Sequence, residues 1–120
     1  MDAEVIKTFR LEAAHLLPQA PDGHKCRQMH GHSYRVDVHV VGPVDDRSGW
    51  AIDFGEIARA VDPILAELDH HLLNEVPGLD NPTSEHLARY LFHRIAPLLP
   101  GLTAVTVWES VTSRVIYRGV

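Results

Sequence analysis

The sequence lacks most of what would take it outside ordinary soluble chemistry. It has one cysteine in 120 residues, so no internal disulfide can form and a reducing compartment is expected. Its longest apolar runs, such as Leu98-Leu99 and Val40-Val41, fall far short of the ~20 residues that span a bilayer. Met1 to Phe9 has no apolar stretch of the secretory kind. The expectation is a cytoplasmic protein with no membrane partner. Lys and Arg number 11 against 16 Asp and Glu, a net charge of -5 without any basic block, so no general attraction to nucleic acid or anionic lipid is expected. Any phosphate contact must then be local. Repeats and low-complexity segments are also missing, and 120 residues suit a single domain over residues 1–120.

What the chain does have is histidine, concentrated where the only thiol lies. The stretch His24-Lys25-Cys26-Arg27-Gln28-Met29-His30-Gly31-His32 holds three imidazoles, the cysteine and two cations. On an extended strand an H-x-H pair points both rings to one face, because strand side chains alternate with a period of two. Tyr34, Val36, Val38 and Val40 continue that phase, which puts His30 and His32 on the core side. Desolvated imidazoles need hydrogen bonds or a metal, and an isolated H-x-H leaves both readings open.

The preceding segment narrows the choice. Val5 to His15 alternates as a half-buried strand with Val5, Phe9, Leu11, Ala13 and His15 on one face. A strand ending at His15 and an antiparallel partner beginning at His30 bring three imidazoles together. Three histidines with an open fourth position are characteristic of catalytic zinc. The connection between the strands contains Pro18, Pro21 and Gly23, reads as a loop, and carries Cys26 back over the same end of the sheet.

Beyond a turn at Gly42 to Gly49, Asp53 is placed as an N-cap with Glu56 three residues on. Phe54, Ile57, Val61, Ile64, Leu65 and Leu68 then follow helical spacing, with Pro63 expected to bend the helix. The helix leads into Asp69-His70-His71. This is either an acid/base relay or cationic histidine placed at a helix C-terminus. Thr83 and Ser84 can cap a second helix with the stripe Leu87, Leu91, Ile95 and Leu98. Two last strands follow as a hairpin, with Val105, Val107, Glu109 and Val111 in the inward phase. Glu109 is the anomaly: either it meets a hydrogen-bond-donating guest, or it is a strand-end carboxylate in water. The element order β-β-α-α-β-β predicts an α+β fold, a four-stranded antiparallel sheet with two helices on one face. Its open edges suggest oligomerisation. The opposite face would show Arg10, Glu12, Arg35, Asp37, Trp108, Arg114 and Arg118.

These segments resemble the 6-pyruvoyltetrahydropterin synthase family, most closely its 6-carboxytetrahydropterin synthase branch of the queuosine (7-deazaguanine) pathway. The likeness covers nearly the whole chain. It is carried by Glu12-Ala13-Ala14-His15, His24-Lys25-Cys26, His30-Gly31-His32-Ser33, Gly49-Trp50, Asp53-Phe54, Leu68-Asp69-His70, Leu73-Asn74, Asn81-Pro82-Thr83-Ser84-Glu85, and Glu109 with Thr112. The resemblance implies a T-fold whose sheets join into a barrel between subunits, commonly a hexamer of two trimers. It implies zinc on His15, His30 and His32, Cys26 as the catalytic thiol, Asp69 and His70 as a second proton-transfer unit, and Glu109 as the anchor of the pterin. His71 has no counterpart in the motif. Many relatives of the branch carry cysteines two and six residues after the anchoring Glu, with Gly before the second. Here Val111, Arg114 and Val115 stand at those positions, and Ser110 replaces a usual Thr.

The activity so implied is a zinc-dependent lyase that turns 7,8-dihydroneopterin triphosphate into 6-carboxy-5,6,7,8-tetrahydropterin, acetaldehyde and triphosphate. Lys25 and Arg27 are candidate cations for the triphosphate. One alternative is 6-pyruvoyltetrahydropterin synthase, which eliminates triphosphate without breaking the carbon–carbon bond. Another, of a different class, is a non-catalytic zinc-binding protein in which Cys26 closes a tetrahedral site.

Overall fold

The computed structural model describes all 120 residues. Two strands of 14 residues dominate it, β1 over Asp2–His15 and β2 over His30–Pro43. They pair antiparallel without a bulge from Asp2 opposite Pro43 to His15 opposite His30. A ladder of that length spans about 48 Å at ~3.4 Å per residue, which explains why the molecule measures 57 × 24 × 23 Å. The first strand starts three residues earlier than the alternation from Val5 suggested, because β2 continues past Gly42 and gives those residues a partner.

The helix α1 covers Phe54–Leu68, and Asp53 caps it by accepting from the Gly55 amide. The helix α2 covers Ser84–Ile95, capped by Thr83 through the His86 amide at 3.1 Å. Helix α1 runs through Pro63 as one element. Between the helices lies β3, the two residues His71–Leu72. The chain ends in β4 over Leu102–Trp108 and β5 over Arg114–Tyr117. The sheet therefore has five strands in the order β3-β1-β2-β4-β5, where four were expected. The extra strand is a two-residue parallel pairing of β3 with Ala13 and Ala14, too short to leave a periodic signature.

The core lies between one sheet face and the helices. Leu11, Val36, Val38, Val105 and Val107 meet Ile57, Val61, Leu65, Leu68, Leu87, Leu91 and Ile95 there. Each such aliphatic side chain contributes about 1.5–3 kcal/mol through burial. Three positions of the expected apolar pattern face water instead. Phe54 sits in the first turn of α1, ahead of the packed stripe. Leu98 follows the end of α2, where a tighter turn sends Leu99 inward. Val111 lies in the turn after β4, beyond the last inward position of the strand.

On the opposite face, register aligns Arg10, Arg35, Trp108 and Arg114 across four strands. The Arg35 and Arg114 guanidiniums lie 3.9 and 4.6 Å from the Trp108 ring, and the indole N–H donates to Asp37 at 2.8 Å. No helix is long and apolar enough to cross a membrane.

Candidate metal centre and its surroundings

The last pair of the β1–β2 ladder is His15 opposite His30, and His32 follows one alternation later. The ligand nitrogens of these three residues all lie within 4.8 Å of one another, as the strand phase predicted. Two backbone carbonyls set their tautomers. His15 Nδ1–H donates to the Pro82 carbonyl at 2.8 Å, and His30 Nδ1–H donates to the Gln28 carbonyl at 2.7 Å. With both Nδ1 atoms protonated, the Nε2 atoms of His15 and His30 present lone pairs to each other across 2.9 Å. The buried His32 Nε2 has no hydrogen-bond partner. Such a donor set fits a metal cation, which would satisfy all three nitrogens at once.

The electrostatics agree. Burial pushes His15 below the ordinary histidine value, with the neighbouring imidazoles adding to this and the Pro82 carbonyl and Glu109 opposing it. Burial likewise lowers His32 against the opposing pull of Glu109. Neutral imidazole is the form that ligates metal. The Tyr34 hydroxyl, fully buried, lies 3.1 Å from His15 Nδ1 and backs the ligand. Burial, then the Glu109 charge, raise its pKa well above the ordinary tyrosine value. Tyr34 was placed on the core face by alternation, but nothing in the pattern marked it as a neighbour of the site.

Glu109 reaches the same place. Its Oε1 lies 3.2 Å from His32 Nε2 and 3.5 Å from His15 Nε2. It also lines a cleft of about 380 Å³ with Leu17, Thr83, Ser84, Glu85 and Arg114. Ser84, read from sequence only as a helix cap, borders that cleft, and its buried Oγ has no hydrogen-bond partner. The signal for it was its place in the Asn81 to Glu85 motif, whose Pro82 carbonyl also orients His15.

Cys26 sits on a single 3-10 turn, Lys25–Arg27, half-buried and outside the group of mutually close ligand atoms. The loop is braced at several points. Leu17 N–H donates to the Cys26 carbonyl at 2.7 Å, and the Cys26 amide donates to His24 Nδ1 at 3.0 Å. Arg27 Nη1 donates to the Pro18 and Ala20 carbonyls, which commits this candidate phosphate cation to holding the loop. The Asn74 side chain clasps both backbone groups of Leu16, a role its sequence position did not disclose.

Asp69 and His70 form the expected pair. Asp69 Oδ2 accepts from His70 Nδ1 at 2.7 Å, while Oδ1 accepts the Glu12 amide at 2.9 Å. Those two bonds, the backbone one foremost, hold the carboxyl below its ordinary value. His70 has a positive φ of 59°, a left-handed conformation uncommon outside Gly and Asn. Its amide donates to the Glu12 carbonyl, which fixes the turn. His70 and His71 line a cleft of about 650 Å³ together with His32 and Ser33. The exposed His71 instead donates through Nδ1 to the Asp69 carbonyl.

Comparison with known proteins gives the family and the fold. The family model described as 6-pyruvoyl tetrahydropterin synthase matches residues 4–120. A 6-carboxy-5,6,7,8-tetrahydropterin synthase of Synechocystis is 38% identical over 119 residues, covering 94% of this chain and 91% of its own. A dihydroneopterin monophosphate aldolase of Pyrococcus furiosus is 34% identical over 112 residues, 91% of each chain. The solved structure of Caenorhabditis elegans 6-pyruvoyl tetrahydropterin synthase superposes with a TM-score of 0.92 at 26% identity, over 100% of this chain and 97% of that one. The fold is the T-fold of that group, and the chain belongs to the 6-pyruvoyl tetrahydropterin synthase family.

Proposed function

We propose that the protein is a zinc-dependent carbon–carbon lyase that converts 7,8-dihydroneopterin triphosphate to 6-carboxy-5,6,7,8-tetrahydropterin, acetaldehyde and triphosphate, in the synthesis of queuosine. The observation that carries this reading is the meeting of three clustered imidazoles with the Glu109 carboxylate beside a cleft. The similarity to the Synechocystis enzyme supports it. Zinc, when bound to His15, His30 and His32, supplies a Lewis acid at the substrate side chain. The remaining work belongs to the chain's own groups. Glu109 accepts the pterin 2-amino group and adjacent ring N–H as a charge-assisted pair at the edge of the cleft. As thiolate, Cys26 takes a carbon-bound proton. Asp69 holds the His70 ring by Nδ1, leaving Nε2 to donate or accept a proton on the solvent side. Cytoplasmic location and a homo-oligomer with the two open sheet edges paired between copies belong to this proposal.

Two other readings compete. Elimination of triphosphate alone is favoured by the likeness to the nematode structure. A non-catalytic zinc protein closed by Cys26 requires that thiol among the ligands, where the observed group does not include it. Incubation of the zinc form with 7,8-dihydroneopterin triphosphate, with products identified by mass, separates them. Acetaldehyde with the carboxy product supports the lyase. A pyruvoyl product without acetaldehyde selects the synthase, and unchanged substrate rejects both enzymes. Cys26→Ala should retain one zinc per chain and lose turnover by a factor of about 10²–10⁴; loss of the metal would instead make Cys26 a ligand.

A further inference from the structure

Glu109 is the only carboxylate within 4.0 Å of any of the clustered histidines, and it reaches His15 and His32 but not His30; the other histidine–carboxylate contacts are His39 with Glu4 and His70 with Asp69. Its separations of 3.2 and 3.5 Å from two ligand nitrogens have a definite meaning. Zinc bonds of about 2.0–2.2 Å to imidazole and carboxylate give a tetrahedron with edges of about 3.3–3.5 Å. Glu109 Oε1 therefore stands at such an edge length from His15 and His32 but not from His30, so completing a tetrahedron takes a further shift of this side chain toward His30. The 3.2 Å separation is within hydrogen-bond range, yet His32 Nε2 has no hydrogen-bond partner, so the contact is not a directed bond.

The backbone leaves this side chain room to move. Glu109 follows Trp108, the last residue of β4, and its amide bonds only to Ser113 across the turn at 3.2 Å. The side chain is 36% exposed and borders the 380 Å³ cleft. A swing from the imidazoles into the cleft leaves the β4–β5 ladder intact, since that ladder begins at Trp108 opposite Arg114.

We propose that Glu109 is an exchangeable fourth metal ligand. It closes the His15, His30 and His32 site before substrate arrives, and the pterin withdraws it by offering two parallel donors to its oxygens. This rests on the reading of Glu109 as the acceptor of the pterin ring. It goes beyond that reading by making recognition of the ring the event that opens the metal to the side chain. Metal and an unsubstituted pterin then compete for one carboxylate, so each weakens the other by the same factor.

The test needs no turnover. Zinc affinity is measured by chelator competition, and coordination is followed by the visible spectrum of the cobalt(II)-substituted protein. Glu109→Gln should bind zinc at least about tenfold more weakly than the parent. Unsubstituted pterin should shift the cobalt spectrum of the parent and leave that of Glu109→Gln in place. Equal zinc affinity in parent and variant overturns the proposal. So does a parent spectrum unmoved at saturating pterin, a result that stands even if the variant misfolds. Failure of the lyase reading is seen separately, as absence of acetaldehyde among the products of the zinc-loaded parent whatever the cobalt spectrum shows.

Discussion

Two of the imidazole–carboxylate pairs in the molecule share residue types and little else. In one, His32 is three-quarters buried with Glu109 at 3.2 Å; in the other, His70 is three-quarters exposed with Asp69 at 2.7 Å. Burial drives the proton off His32, so that pair offers a lone pair and a negative charge to a cation. At the second pair it is the carboxylate that is fixed, by a backbone amide from β1 and by the ring it orients. In the proposed function, depth in the fold, rather than residue identity, divides ligand from proton carrier.

That division can be broken from either side. The largest effect is expected from His32→Ala, which leaves two of the three histidine ligands. It should lose most of the bound zinc and, with it, activity, as metal analysis of the purified variant will show. Full zinc retention would remove His32 from the site. Asp69→Asn keeps the shape but reverses the bond to His70 and favours the other tautomer. We expect normal zinc content, unchanged KM and kcat lower by a factor of about 10² or more, since the proposed function gives the pair a proton-transfer role. A kcat equal to that of the parent would reduce the pair to a turn brace.

The smallest effect concerns pH. A carboxyl held below its ordinary value stabilises the fold above the unfolded-state pKa of about 3.9, and that stability is lost as pH falls through the folded value. Acid unfolding of the metal-free protein should therefore be shallower below pH ~4 in Asp69→Asn. Superimposable acid profiles would show that the Glu12 amide and His70 add nothing to folding.

The sheet phases, both helices and the meeting of His15, His30 and His32 were legible in the sequence because each rests on local periodicity plus one antiparallel pairing. Glu109 was legible as a violation of such a period. What stayed hidden was non-periodic. The two-residue β3 is defined by a parallel partner 58 residues away in sequence. Tyr34 looks like any inward residue until the hydrogen bonds of His15 are known. The Pro82 carbonyl has no side chain to read, and Arg27 could be assigned to the loop only once Pro18 and Ala20 were seen to fold back on it. Leu98 and Phe54 were misplaced because helix ends depart from the 3.6-residue count.

The bulge-free pairing that ends at His15 and His30 also makes the metal centre a register gauge. Slipping β2 by one residue would turn His30 and His32 to the opposite face. Slipping it by two would keep the face but carry both rings about 6.8 Å along the strand. Neither misaligned chain could assemble the three nitrogens, although either could still bury much of its valine-rich face. Zinc retained after refolding would thus count the molecules whose longest ladder had closed in the right alignment, a quantity that spectroscopic strand content alone does not distinguish.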